Sequence, residues 1–153
     1  MKNSSKRNFA LIFWGIFLAS AIVSGFSYGR KKNRDRYVFY FPSYDSGRIS
    51  VDARNSFSIQ EREEKIRFFV DEILLGPVQN RLKPLFSDGT SCEFCFLKGK
   101  ELFVGLSKEA LKLKLDDVGL REGVSLLRKN IVKNFTNIYK IYIYIDGEIA
   151  FED

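Results

Sequence analysis

The sequence predicts an α+β (split α/β) domain, a small mixed sheet with two helices packed on one face, preceded by a single transmembrane helix. Three observations carry this. An uncharged run of twenty residues, Phe9 to Tyr28, stands near the N-terminus. Two later stretches repeat apolar residues at helical spacing, and the segments around them alternate or run apolar over strand lengths. At 153 residues and 45% hydrophobic, the chain is long enough for one ordinary domain and too short for two.

The uncharged run reads "FALIFWGIFLASAIVSGFSY". At about 1.5 Å per residue, such a helix crosses the roughly 30 Å hydrocarbon core of a bilayer. An uncleaved anchor is the favoured reading. A cleaved signal peptide, whose apolar core usually runs to about 7 to 15 residues, and a buried helix of a soluble fold are its rivals. No cysteine lies in or just after the run, which excludes a lipid-modified N-terminal cysteine. The organisation expected is a short tail over 1–8, a transmembrane anchor or uncleaved signal over 9–28, a basic linker over 29–35 and a folded domain over 36–153.

The formal net charge of +6 is unevenly placed. Lys2, Lys6, Arg7, Arg30, Lys31, Lys32, Arg34 and Arg36 face only Asp35 in the first 36 residues, and the remainder is close to balanced. The basicity therefore flanks the apolar run, and a nucleic-acid partner is not expected. Because basic residues stand on both sides of the span, charge leaves the membrane orientation undecided.

Beyond the linker, "RYVFYFP" reads as a strand buried on both faces and ended by Pro42. "GRISVDAR" alternates Ile49, Val51 and Ala53 against polar neighbours, a half-buried strand with those three facing the core. Ser58 and Glu61 have capping-box spacing at the start of a helix. Ile66, Phe69, Val70, Ile73 and Leu74 form its apolar stripe, and Gly76 and Pro77 stop it. Asp88-Gly89 is turn chemistry that feeds a hairpin turning at Lys98-Gly99. Alternation puts Cys92, Phe94 and Phe96 on one face of its first strand, with Leu102, Val104 and Leu106 forming an apolar face on its second. Leu120, Val124, Leu127, Ile131 and Phe135 define a second helix, and "KIYIYIDGE" is a β-prone strand ending at Asp146-Gly147.

Little of this points to catalysis. The chain has no histidine, which removes triads and His-based metal sites. Cys92 and Cys95 have CxxC spacing but lack the two further ligands that zinc needs, and they read as small buried side chains. Asp88 and Asp146 precede glycines and read as turn residues. Glu61, Glu63 and Glu64 read as a helix N-terminal cluster. No catalytic, cofactor-binding or metal-binding residue is assigned. Asn134-Phe135-Thr136 matches a glycosylation acceptor at a predicted helix end. Tyr142 and Tyr144 share one parity of the last strand and are either core or a candidate binding surface.

The succession "YVFYFP", "ILLGP", "LKPLFSDGT", "LFVGLS" and "NIYKIYIYIDGE" resembles the GerMN domain of sporulation, germination and other bacterial envelope proteins. The resemblance covers about Arg36 to Phe151. Its recurrent marks here are Leu74, Gly76 and Pro77, the Asp88-Gly89-Thr90 turn, and Asp146-Gly147 after the last strand. It implies a small membrane-tethered α/β module without known enzymatic activity, similar in fold to ring-building modules of envelope-spanning assemblies. It also implies a single-pass protein of the inner (cytoplasmic) membrane with the domain on the extracytoplasmic or periplasmic side. The function expected is a non-enzymatic interaction or assembly module, with a like domain or another envelope protein as partner. A peptidoglycan- or glycan-binding module is the alternative, and a carboxylate-dependent hydrolase a more distant one. Members often carry aspartate where this chain has Gly105, so no role of that carboxylate transfers.

Overall fold

The computed structural model describes residues 3–31, 34–112 and 118–151, and divides the chain into a unit ending at Asp35 and one beginning at Arg36. The first is a helix, α1 (Asn3–Lys31), of 29 residues. Its stretch Ile12–Gly29 is long and apolar enough to cross a membrane. The helix takes in most of the expected tail and the start of the expected linker. Met1, Lys2, Lys32 and Asn33 lie outside the described residues.

Strand β1 (Arg34–Pro42) runs across the boundary between the two units and joins β2 (Ile49–Phe57) in a hairpin of two nine-residue strands. Its turn is closed by the Ser43 amide donating to the Arg48 carbonyl at 2.9 Å. Helix α2 (Arg62–Leu74) follows, then the hairpin β3 (Cys92–Lys98) and β4 (Glu101–Leu106). A short 3₁₀ turn (Lys108–Leu111) leads towards α3 (Leu120–Asn134), and β5 (Lys140–Ile145) and β6 (Glu148–Ile149) end the described chain. Strands β3 to β6 form one mixed sheet in chain order, with β4 and β5 parallel and the other neighbours antiparallel. The hairpin β1-β2 is a separate ribbon.

The core is built from the expected stripes. Ile66, Phe69, Val70 and Ile73 of α2 and Val124, Leu127 and Ile131 of α3 are buried, together with Leu102, Val104, Leu106, Ile143 and Ile145 of the sheet. From β1 the core takes Tyr37, Phe39 and Phe41, and Phe39 stacks on Phe69 at 4.9 Å. Val38 and Tyr40, the other parity, are only half-buried, so β1 is not buried equally on both faces.

Three further local expectations are corrected. Helix α2 starts at Arg62, and its cap is Glu61, whose carboxylate accepts the amides of Glu63 and Glu64, so the Ser58–Glu61 box is not the cap. A bulge between Cys92 and Phe94 adds a residue to β3 and flips the parity. Cys92 is therefore buried with Cys95, on the opposite side from Phe94 and Phe96. Finally, β2 faces the other way from its hydrophobic alternation: Asp52 is buried, whereas Val51 and Phe57 are 52% and 77% exposed and Ile49 and Ala53 are exposed beside them.

Candidate interaction surfaces

The inverted strand is explained by what lies beneath it. Arg54 donates to Asp52 at 2.9 Å, to the Glu72 carboxylate at 3.0 Å and to the Gly76 carbonyl at 2.6 Å, and its guanidinium lies 4.7 Å from the Phe39 ring centre. Asp52 also accepts the Val78 amide at 3.2 Å. Burial alone would push the Asp52 carboxyl up. The Arg54 hydrogen bond, the Val78 amide and the Arg54 charge outweigh it and hold the carboxyl below its ordinary value. Gly76, at φ +83, takes the left-handed turn that ends α2, its amide donating to the Ile73 carbonyl at 3.0 Å. The stretch Leu74–Gly76–Pro77 is thus a helix stop whose Gly76 carbonyl is clamped by Arg54 of β2.

A second buried polar set closes the far edge of the ribbon. Asn130, fully buried, accepts the Tyr40 amide at 2.8 Å and donates to the Tyr40 carbonyl at 3.0 Å. Asn134 does the same for Val38, at 3.1 and 2.8 Å. One helical turn apart on α3, the two side-chain amides imitate a neighbouring strand. The Lys83 amide to the Pro42 carbonyl and the Tyr44 amide to the Arg81 carbonyl continue the edge. Asn134, the acceptor position of the glycosylation pattern, is committed to this contact.

The other predicted residues fall at turns. The Thr90 hydroxyl and amide both bond the Ser87 carbonyl, at 2.7 and 3.2 Å, around Asp88-Gly89. Asp146 and Gly147, at φ +52 and +80, form the two-residue turn into β6. Leu74 packs half-buried against the core. The structure does not gather these residues into one site.

Tyr142 and Tyr144 do meet other aromatics. The sheet face turned away from the core carries Phe96, Phe103 and Tyr142 in register across three strands. Phe96 and Phe103 stack at 5.0 Å and Phe103 and Tyr142 at 4.8 Å, with ring planes within 15°. A second row runs from Phe94 to Tyr144 at 5.8 Å. Gly105 lies between them, and a β-carbon there would approach the Phe94 ring to 2.2 Å. Gly105→Ala should therefore drive Phe94 off the sheet. We expect a loss of near-ultraviolet circular dichroism and about 1 to 3 kcal/mol of stability in urea unfolding. Sequence parity points to the two tyrosines but not to Phe103, and it groups Phe94 and Phe96 with Cys92 because the bulge leaves no mark in the sequence.

Beside this face, Arg128, Val132, Tyr139, Lys140, Ile141, Tyr142 and Ile149 line a cleft of about 410 Å³. It sits where the two-residue β6, paired only with Tyr144 and Ile145, leaves the start of β5 bonded to β4 on one edge and uncovered by a described strand on the other. On the core side, Cys92 and Cys95 are free, and the Cys92 thiol donates to the Phe94 carbonyl at 3.3 Å. The neighbouring Cys92 thiol and burial push the Cys95 thiol far up, which keeps it protonated.

These elements define an α+β module with two helices over one face of a mixed sheet and an aromatic opposite face, behind an apolar helix. The family model described as sporulation and spore germination, Germane, matches residues 38–150, and the chain belongs to that family. The first GerMN domain of the sporulation protein GerM from Bacillus subtilis superposes with a TM-score of 0.58 at 14% identity, over 76% of this chain and 86% of that one. The tandem GerMN domains of the same protein give 0.54 at 14% identity, over 74% and 40%. An uncharacterized lipoprotein of Treponema pallidum (strain Nichols) is 26% identical over 87 residues, 57% of this chain. The match spans 65% of that relative's length.

Proposed function

We propose that this is a non-enzymatic, single-pass protein of the inner membrane whose folded unit stands on the extracytoplasmic side as an assembly module. The stacked row Phe96–Phe103–Tyr142 carries the reading. Five aromatic side chains on a helix-free sheet face lie outside the core, and such surfaces suit a protein partner with an apolar contact of its own. Membership of the Germane family and the apolar helix α1 support the envelope setting.

A photo-crosslinking amino acid at Phe96, 42% exposed, tests this in membranes. The expected result is a discrete protein adduct that Phe103→Ser abolishes. Absence of any protein adduct would overturn the reading. The cleft beside Tyr142 favours one second reading, a peptidoglycan or glycan ligand held against Tyr139 and Tyr142 with Lys140 at the rim. Retention on purified peptidoglycan, lost in Tyr142→Ala, is the result that reading requires.

A further inference from the structure

The two edges of the β1-β2 ribbon are treated differently. Counting from the Ser43–Arg48 closure places Phe39 opposite Asp52 and Tyr37 opposite Arg54, so the even residues of β1 and the odd residues of β2 direct their backbone polar groups away from the hairpin. On β1 those of Val38, Tyr40 and Pro42 are taken by Asn134, Asn130 and the Lys83 amide. On β2 they belong to Ile49, Val51, Ala53, Asn55 and Phe57. Among the described residues, no hydrogen bond reaches the backbone of these five, and all five side chains are exposed. A nine-residue edge without proline or an outward charge is a template for another strand.

We propose that β2 pairs antiparallel with β2 of a second copy, about a two-fold axis through Ala53, joining two ribbons into one four-stranded sheet. The charges select this occupant and this register. Pairing about Ala53 sets Asp52 opposite the second copy's Arg54, and Arg54 opposite its Asp52, at close non-hydrogen-bonded positions. Centring on Asp52 or on Arg54 would set like charges face to face, and centring on Val51 would put Arg54 against Arg48.

The outward row suits the same register. It carries no charge, sets Ala53 against itself and Val51 against Asn55, and brings the exposed Ile49 and Phe57 together. Leu75 and Val78, 79% and 71% exposed, flank Gly76 and Pro77 beside the Asp52–Arg54 clamp and extend the apolar margin of this edge. Anchoring every copy in one bilayer raises their effective concentration. The inference rests on the assembly reading and adds to it a surface distinct from the aromatic face.

The full-length chain in its membrane tests it by cysteine pairing. Residues facing across the axis as a hydrogen-bonded pair have α-carbons about 5.5 Å apart, within the range a disulfide spans. Ala53→Cys should give a covalent dimer under mild oxidation, well above Lys98→Cys and above the parent chain, whose own cysteines are buried. Chains carrying Val51→Cys should cross-link to chains carrying Asn55→Cys. Ala53→Pro, which removes an outward amide while leaving the hairpin ladder intact, should keep the fold and abolish self-association.

Ala53→Cys dimers no more abundant than those of Lys98→Cys would overturn the pairing, whether or not the chain self-associates by another surface. Persistence of the dimer in Ala53→Pro would do the same. If either occurs while the Phe96 adduct forms, β2 pairing is wrong and the assembly reading stands. Loss of the Phe96 adduct removes the assembly reading itself.

Discussion

Replacing Asn130 by aspartate should leave the folded unit marginal or unfolded at pH 7, a loss of about 4 kcal/mol or more. The side chain is fully buried and is read by one donor, the Tyr40 amide, and two acceptors, the carbonyls of Tyr40 and Leu126 at 3.0 and 2.9 Å. That pattern fixes which amide atom is oxygen and which is nitrogen. A carboxylate of the same shape would keep the first bond, face both carbonyls with negative charge and bury that charge unpaired. Asn130→Ala should cost less, about 2 to 3 kcal/mol, since it only orphans the partners. Urea unfolding of residues 36–153 at pH 7 measures the order Asn130→Asp worse than Asn130→Ala. Acidification should narrow the gap, because the new carboxyl has a raised pKa in the folded state and its penalty grows only as pH rises. The reverse order would mean that α3 does not close the edge of β1 as described.

Arg54→Ala should be the second most damaging change, at about 3 kcal/mol, or roughly 10 °C in Tm. It removes the donors to Asp52, Glu72 and Gly76 together and leaves the buried Asp52 with the Val78 amide and the more distant Gln79 side chain. The pH dependence follows from the direction of the Asp52 shift. A carboxyl held below its ordinary value contributes stability that is complete above the unfolded pKa of about 3.9 and is lost as pH falls through the folded value. Parent and variant should therefore converge below about pH 4. A deficit that persists unchanged into acid would assign the loss to packing of the guanidinium on Phe39 rather than to the ion pair.

Sequence reveals the elements here more readily than the directions in which they face. The stripes of α2 and α3, the stop at Gly76, the hairpin at Lys98-Gly99 and the turn at Asp146-Gly147 were legible because local chemistry decides them. Strand β2 was not. Its alternation is the same whichever face is inward, and only the long-range partners Glu72, Gly76 and Phe39 make it favourable to bury Asp52 and Arg54 and expose Val51. The bulge in β3 moved Cys92 across the sheet for a similar reason, since one added residue inverts parity and leaves no local mark. Strand β6, two residues long, was too short to declare itself. Asn130 and Asn134 looked like the polar side of an amphipathic helix. Their signal was the i, i+4 spacing of two asparagines bordering the stripe at Leu127 and Ile131. The aromatic face was half visible, in Tyr142 and Tyr144, and needed the β4-β5 register to acquire Phe103.

The proposed function requires a folded unit tethered to a membrane and working outside the cytoplasm. Protease accessibility of the full chain with a C-terminal tag, in cells whose inner membrane is sealed and whose outer barriers are opened, tests it most directly. Cleavage of the tag under that condition is the result predicted. Protection until the inner membrane is broken would place the domain in the cytoplasm, and the envelope assembly role would have to be withdrawn.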